Sequence, residues 1–298
     1  MTNGGFMMDS KAEIYDLIPQ KYYPKTELIR EGANFETVLK TIEKSQIKFP
    51  LVAKPDMGLR GSAVKKINNE NDLKNYADKA NFDYLVQDLI PFPNEIGVFY
   101  VRFPNQPKGK ITGIVAKEFV IVTGNGRSTI EQLIKANPRY ELQLENLQKE
   151  YGNTLNEVLP KNQKMNLVPY GNHARGAKFI DASDWISPEM TNALNEICLQ
   201  IPGFYFGRLD IMYNTLSEFE RGKNFSIVEL NGAGSEPTHI YDPKHSLFFA
   251  WKELLRHIFY MYQISKINHK NGVSYLTHKQ GLEQFRLHNQ MNAKIVNF

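Results

Sequence analysis

The sequence predicts an α+β fold, and three observations carry the prediction. Segments of helical period and short apolar runs intermix along the chain without strict alternation. Neighbouring apolar runs are joined by turn residues, which makes them antiparallel partners. The 298 residues suffice for a large core, held in one domain or shared by two or three smaller ones.

Ser10 begins an S-x-x-E capping box with Glu13, so a helix runs from Lys11 to about Leu17. "YYPKT" follows as an extended connection, and Asn34 caps a helix through about Lys44. "FPLVAKP" (49–55) is a buried strand stopped by Pro55, and "DMGLRGSAVKKI" is a glycine loop returning into a strand. "NENDLKNYADKA" is helical and "FDYLVQDLI" is a strand. "EIGVFYVRF" and "GKITGIVAKEFVIV" form an antiparallel pair through the turn Pro104 to Gly109. A second capping box, Ser128 with Glu131, starts a helix, and the polar stretch from about Tyr140 to Lys164 is mostly helical.

"LVPYGNHARGAKFID" reads as a loop with strand ends. Ser187-Pro188 opens a helix that Pro202-Gly203 ends. "FYFGRLDIMYN", a polar connector and the strand Phe225 to Leu230 come next, then a helix from about Ser246 to Lys266. Its aromatics (Phe248, Phe249, Trp251, Phe259, Tyr262) fall around most of the helix and are expected to face the core. Residues 266–298 form a polar C-terminal tail.

The net charge of +4 is mild, and Lys and Arg are scattered, which suits a phosphate-bearing small ligand and argues against a nucleic-acid tract. The start has neither a basic n-region nor an apolar h-region, and no run spans a bilayer. The single Cys198 excludes an internal disulfide framework and fits a reducing cytoplasm.

Side chains on a strand alternate faces, so Arg208 and Asp210 share one face of "GRLDIM" and Glu229 and Asn231 share one face of "IVELN". If these strands pair, one face packs and the other gathers Asp, Glu, Asn and Arg. Those oxygens form a site for Mg²⁺ (or Mn²⁺) bridging phosphates, while a surface ion-pair hairpin is the plainer alternative. Lys54 ends an apolar strand before a loop with Gly58 and Gly61, where charge and backbone N–H groups can hold phosphates. The loop is not a Walker A. The strand-linker-strand "YLVQDLIPFPNEIGVFYV" can offer backbone groups to an adenine edge, with Glu95 at ribose hydroxyls.

In this order the three pieces resemble the ATP-grasp superfamily over about Lys11 to His257. The resemblance implies two α+β subdomains clasping ATP (11–87 and 88–265). The sequence departs from the family pattern in having only about ten residues before the entry helix, so a full pre-grasp domain is not expected. Lys11, Lys54, Gly61 and Ser62 would lie at the phosphates, Gln87, Asp88, Leu89 and Ile90 at adenine, and Glu95 at ribose. Lys117 and Lys178 would point toward ATP, although Lys117 can instead pair across strands. Asp210, Glu229 and Asn231 would hold Mg²⁺. Arg208 would contact the transferring phosphoryl group or the oxyanion. The loop with His173 and the catalytic candidate Arg175 would close over the phosphates or a substrate carboxylate, although it reads equally as a solvated basic loop.

"VIVTGNGRSTIEQLI" and "GNHARGAKFIDASDWISPEM" resemble segments of cyanophycin synthetases and bifunctional glutathione synthetases, and the last strand pair resembles D-alanine–D-alanine ligases. These are amide-forming ligases, so the resemblance implies activation of a carboxylate as an acyl phosphate and attack by an amine. The substrates would be small molecules or peptides. The loop "NGAGSEPTHIYDP" departs from the usual Pro-Gly ending. Its residues Gly234, Ser235, Glu236 and His239 are expected to face the substrate. An ATP-grasp kinase and a non-catalytic nucleotide-binding module are the alternatives.

Overall fold

In this computed structural model, residues 2–6, 10–57, 61–168, 171, 173–296 and 298 are described. Along the chain run α1 (Lys11–Leu17), β1 (Thr26–Ile29), α2 (Phe35–Ser45), β2 (Leu51–Pro55), β3 (Lys65–Ile67), α3 (Glu70–Lys79) and β4 (Tyr84–Asp88). Then come β5 (Asn94–Val101), β6 (Lys110–Glu118), β7 (Val120–Thr123), α4 (Ile130–Lys135), α5 (Pro138–Glu141), α6 (Leu144–Tyr151), β8 (Lys164–Val168) and β9 (Lys178–Asp181). Last are α7 (Pro188–Cys198), β10 (Phe206–Tyr213), α8 (Leu216–Glu220), β11 (Phe225–Asn231), α9 (Leu247–Lys270) and α10 (His278–Val296). The strands form a four-stranded sheet β1-β4-β2-β3, a five-stranded sheet β11-β10-β5-β6-β9 and a small sheet β7-β8. Their described pairings are antiparallel, so the expected α+β class holds.

Local chemistry sets most boundaries. The side chains of Ser10, Asn34, Asn69 and Ser187 accept from backbone N–H groups in the first turns of α1, α2, α3 and α7. The box expected at Ser128 forms one residue later. Thr129 and Gln132 exchange both capping bonds, because Asn125 folds an Asx turn that takes the N–H groups of Arg127 and Ser128. The long run 110–123 is two strands, and after Phe119 the chain leaves the five-stranded sheet for the small one. The polar connector hides α8, capped by Thr215 and anchored by the buried Phe219.

Two apolar cores place the site. One face of the five-stranded sheet carries Ile96, Val98, Leu209 and Ile211, covered by α1 and α7. The four-stranded sheet packs against α2 and α3, and the C-terminal Ile295 and Phe298 dock into that core. The tail is therefore a helix, α10, fixed to the first sheet, with Lys294 paired to Glu31 at 3.1 Å. The opposite face of the five-stranded sheet bears Phe99, Val101 and Phe206 under Ile264 of α9 and, at its other end, the polar residues described below. The expectation for the α9 aromatics is corrected. Phe249 is half-buried, but Phe248 is 77 % exposed and Trp251, Phe259 and Tyr262 are more than half exposed. One apolar stripe of the helix packs on the sheet and a second faces outward.

Candidate active site

β10 and β11 pair with Arg208 opposite Asn231 and Asp210 opposite Glu229. Between Asp210 and Ile211 the register shifts by one residue at Val228. That bulge keeps Leu230 and Ile227 both in the core while Glu229 and Asn231 stay on the Asp210 side. It also aims the Val228 carbonyl at α1 and the four-stranded sheet, where it accepts from the Tyr15 hydroxyl of α1 and, at 3.4 Å, from Lys54 Nζ of β2. Gly207 makes the approach of the two strands possible, since a Cβ there would lie 2.1 Å from the Asn231 carbonyl oxygen.

Asp210 is the hub. Its Oδ2 accepts from Arg208 Nη2 at 3.0 Å and from Asn231 Nδ2 at 3.4 Å, and its Oδ1 accepts from Lys117 Nζ at 2.9 Å. Burial alone would raise its pKa, but Arg208 and Lys117 outweigh that and hold it at about 2. Lys117 also donates to Glu95 Oε1 at 2.6 Å. Burial opposes its charge, and Asp210 and Glu95 more than restore it, so its pKa is raised. The Gly171 N–H caps the other Glu95 oxygen at 2.9 Å. A Cβ on Gly171 would fall 2.3 Å from Lys117 Cδ, so only a glycine lets this loop lie so close.

Lys54 enters from β2 of the other sheet. It is buried, donating to Gln87 Oε1 at 3.0 Å and to the Tyr15 hydroxyl at 2.9 Å. Burial lowers its pKa to about 8, partly offset by Glu229 and Asp56. Lys11, at the start of α1, lies 3.7 Å from Glu229 Oε1 and donates to the Asp56 carbonyl at 3.3 Å. Asp56 fixes α1 itself, taking the Ser10 hydroxyl and the Ala12 N–H on one oxygen. The structure thus brings Lys11, Lys54, Gln87, Glu95, Lys117, Arg208, Asp210, Glu229 and Asn231 to one junction of the two sheets.

Other expected residues sit elsewhere or differently. Gly58 lies outside the described residues, while Gly61 takes a positive φ of 72° with Ser62 beside it. Asp88 ends β4 and accepts from the Lys48 N–H at 3.3 Å, and Leu89 and Ile90 follow it outside the strand. Glu95 has both oxygens engaged by protein donors. Arg175 pairs with Glu150 at 2.9 Å, and Lys178 lies 3.9 Å from Glu118 at the sheet edge. Gly234 donates its N–H to the Gly5 carbonyl at 2.9 Å, Ser235 folds back onto the Gly232 carbonyl at 2.6 Å and Glu236 accepts from the Tyr241 hydroxyl at 2.8 Å. His239 is turned inward: it is 3 % exposed and lies 3.4 Å from Glu253 of α9. It packs over Gly113 of β6, where a Cβ would lie 2.2 Å from its Nδ1, so it points into the five-stranded sheet and not outward from the loop.

Sequence reasoning missed Tyr15, Asp56 and Gly171. Each acts across more than forty residues of chain, and no local pattern marks them. Among the described residues no three His, Cys, Asp or Glu side chains gather as a metal cage. The oxygens on this face are two carboxylates and one carboxamide. That set fits Mg²⁺, which takes few protein carboxylates and completes its shell with water and phosphate oxygens.

The fold of this chain, two antiparallel sheets with the buried Lys54 of one meeting the acid–arginine hairpin of the other, is similar to that of a solved D-alanine ligase. D-alanine–D-alanine ligase from Bacillus anthracis matches with a TM-score of 0.50 at 13 % identity, over 89 % of this chain and 70 % of that one. The VanG D-Ala:D-Ser ligase from Enterococcus faecalis gives 0.47 at 14 % identity, covering 87 % and 60 %. A bifunctional glutathione synthetase from Pasteurella multocida gives 0.41 at 14 % identity, covering 81 % and 36 %. In sequence the chain is similar to the glutathione biosynthesis bifunctional protein GshAB of Streptococcus mutans serotype c, 26 % identical over 260 residues. That match takes in 78 % of this chain, which spans about a third (33 %) of the relative's length. No protein-family model matches the sequence.

Proposed function

We propose that the protein is an ATP-dependent ligase that activates a carboxylate as an acyl phosphate and joins it to an amine, releasing ADP and phosphate. The observation that carries the proposal is the junction itself. Lys11 and Lys54 from one side and Arg208 from the other converge on a face that presents Asp210, Glu229 and Asn231. Phosphoryl transfer asks the protein for positioned charge rather than for covalent chemistry. The relatives' names, glutathione biosynthesis and D-Ala ligation, describe amide formation.

In the proposed reaction a carboxylate oxygen attacks the γ-phosphorus and the bond to the β-phosphate oxygen breaks, so ADP leaves with that electron pair. The amine nitrogen then attacks the acyl carbon and loses a proton to solvent. The acyl C–O bond breaks and phosphate leaves. Lys11 and Lys54 hold the phosphates by charge. Arg208 sits where charge grows on the transferred group. Lys117 keeps Asp210 and Glu95 in place. Mg²⁺, held by Asp210, Glu229 and Asn231, would supply charge compensation at the phosphates when bound.

The test is Mg-ATP with hydroxylamine and a panel of amino acids and short peptides. Hydroxamate formed together with ADP is expected for at least one carboxylate. A phosphorylated product stable to hydroxylamine would make the protein a kinase. Nucleotide binding without ADP from any acceptor would make it a binding module. Either result would overturn the ligase assignment.

A further inference from the structure

The outer face of α9 takes no part in the site. Phe248, Trp251, Leu255, Ile258, Phe259 and Tyr262 recur at spacings of one to four residues and are each at least half exposed, Leu255 by 67 %. On a helix those spacings put them on one broad face. Together they present on the order of 500 Å² of apolar surface, the size of the largest patch on a typical monomer, a patch that is often functional. The same face carries the exposed Lys252, Lys266 and Lys270. The only carboxylate of α9, Glu253, is buried on the opposite side against Arg256 and His239. The apolar surface continues past the helix into Val273 and Tyr275, both exposed.

The chain's charge leans the same way. Residues 244–298 hold eight Lys and Arg against two Glu, a local net of +6, whereas the whole chain is +4 and residues 1–243 are therefore −2. Lys244, Arg256 and Lys294 pair with Asp242, Glu253 and Glu31, while Lys252, Lys266 and Lys270 have no carboxylate partner among the described ion pairs. Such asymmetry marks a segment that meets a polyanionic surface. A second copy of this face would set lysines against lysines with no carboxylate to answer them. A bilayer with anionic lipids answers both features. Its phosphates complement the lysines, and its headgroup boundary takes Trp, Tyr and Phe side chains with apolar bodies and polar edges. No helix of the described residues is long and apolar enough to cross a membrane, so the geometry is that of a helix lying in the interface. Its 24 residues extend about 36 Å.

We propose that the outer face of α9 is a membrane-docking surface for anionic lipid bilayers, seating the ligase on a membrane while the site remains on the sheet junction. The test uses the full chain with vesicles of phosphatidylcholine alone and of phosphatidylcholine with phosphatidylglycerol in equal parts. Flotation with the anionic vesicles is expected, weakened by salt, together with a blue shift of Trp251 emission in a Trp185→Phe background. Each lysine reversed among Lys252 and Lys266 is expected to weaken binding by about fivefold or more. Leu255→Glu with Ile258→Glu is expected to abolish flotation while leaving the thermal unfolding midpoint in place, since both side chains are exposed. No flotation with anionic vesicles, or equal flotation of that double variant, would overturn the proposal. So would a lipid-free dimer that the double variant dissolves, because the face would then belong to a second copy. None of these readouts depends on ligase activity, so the docking surface and the ligase reading fail separately.

Discussion

Lys54 and Lys117 are both buried lysines at one junction, yet their surroundings drive them in opposite directions. Lys117 lies between Glu95 and Asp210 at 2.6 and 2.9 Å, and its pKa is raised. Lys54 has no carboxylate within ion-pair distance among the described residues. Its partners are the neutral Gln87, Tyr15 and the Val228 carbonyl, and its pKa falls to about 8. The difference separates two jobs that residue type alone does not distinguish. A lysine with its countercharges built in holds a protein framework. A lysine buried without them, as Lys54 is, keeps a charge that we propose is met by an anion that arrives later.

The comparison breaks most visibly at Lys117. Lys117→Met leaves Glu95 and Asp210 buried with an incomplete set of cations, which costs about 3–5 kcal/mol. Lys54→Met removes a charge that burial already disfavours, and it is expected to leave stability within about 1 kcal/mol. Urea unfolding at pH 7 measures both. Equal losses for the two variants would end the distinction. Next in size is Arg208→Ala. It is expected to lower kcat by about 10²–10³ with nucleotide binding retained, because Lys117 still holds Asp210. ADP release and nucleotide titration separate those two quantities, and unchanged turnover would remove Arg208 from the reaction.

How much of this junction was legible depends on distance along the chain. The shared face of Arg208, Asp210, Glu229 and Asn231 follows from strand alternation, a property of adjacent residues, and the ladder sets them opposite one another. Lys54 at the end of β2 was readable for the same reason. The sequence left Lys117 between two readings. The answer, a bridge from Glu95 to Asp210, requires β5, β6 and β10 to be laid side by side. Tyr15, Asp56 and Gly171 carried no signal because their partners are remote. The α9 aromatics misled for a different reason. Apolar residues around a helix show that more than one face is apolar, and nothing in their spacing says which face the sheet takes. His239 was placed with its neighbours in the Gly232–Tyr241 loop, but a short 3-10 turn, Thr238–Tyr241, points it into the sheet.

The pH dependence of nucleotide binding sharpens the contrast further. A lysine whose folded pKa is about 8 against the ordinary 10.5 is charged in both folded and unfolded states below pH 8. Its burial therefore penalises stability there. The penalty fades as pH rises from about 8 to 10.5, where the unfolded chain still binds the proton that the folded one has lost. Phosphates need the charged form, so binding pulls the proton on. Nucleotide affinity is expected to be flat below about pH 8 and to fall by up to about tenfold per pH unit above it. Lys54→Met is expected to bind more weakly at pH 7 and to lose that slope. Lys117, with a raised pKa, contributes no such slope in this range. A wild-type affinity that stays level from pH 7 to 10 would mean that Lys54 does not meet the phosphates.

The smallest expected effect concerns the neutral partners of Lys54. The Tyr15 hydroxyl donates to the Val228 carbonyl and accepts from Lys54 Nζ at 2.9 Å, linking α1, β2 and the β11 bulge through one oxygen atom. Burial holds its pKa well above the ordinary tyrosine value, so it remains a neutral donor throughout the working range. Tyr15→Phe keeps the ring, which stacks on Tyr23 at 4.7 Å, and removes only that oxygen. The carbonyl retains Lys54 at 3.4 Å and the amine retains Gln87, so the stability loss is expected at about 1 kcal/mol rather than the cost of a bare buried charge. With one polar partner gone, the ammonium is less well held and the midpoint of the pH profile should move below 8. Measuring that midpoint in Tyr15→Phe asks whether neutral hydrogen bonds alone poise this lysine. An unmoved midpoint would mean that burial, offset by Glu229 and Asp56, sets the poise without the Tyr15 hydroxyl.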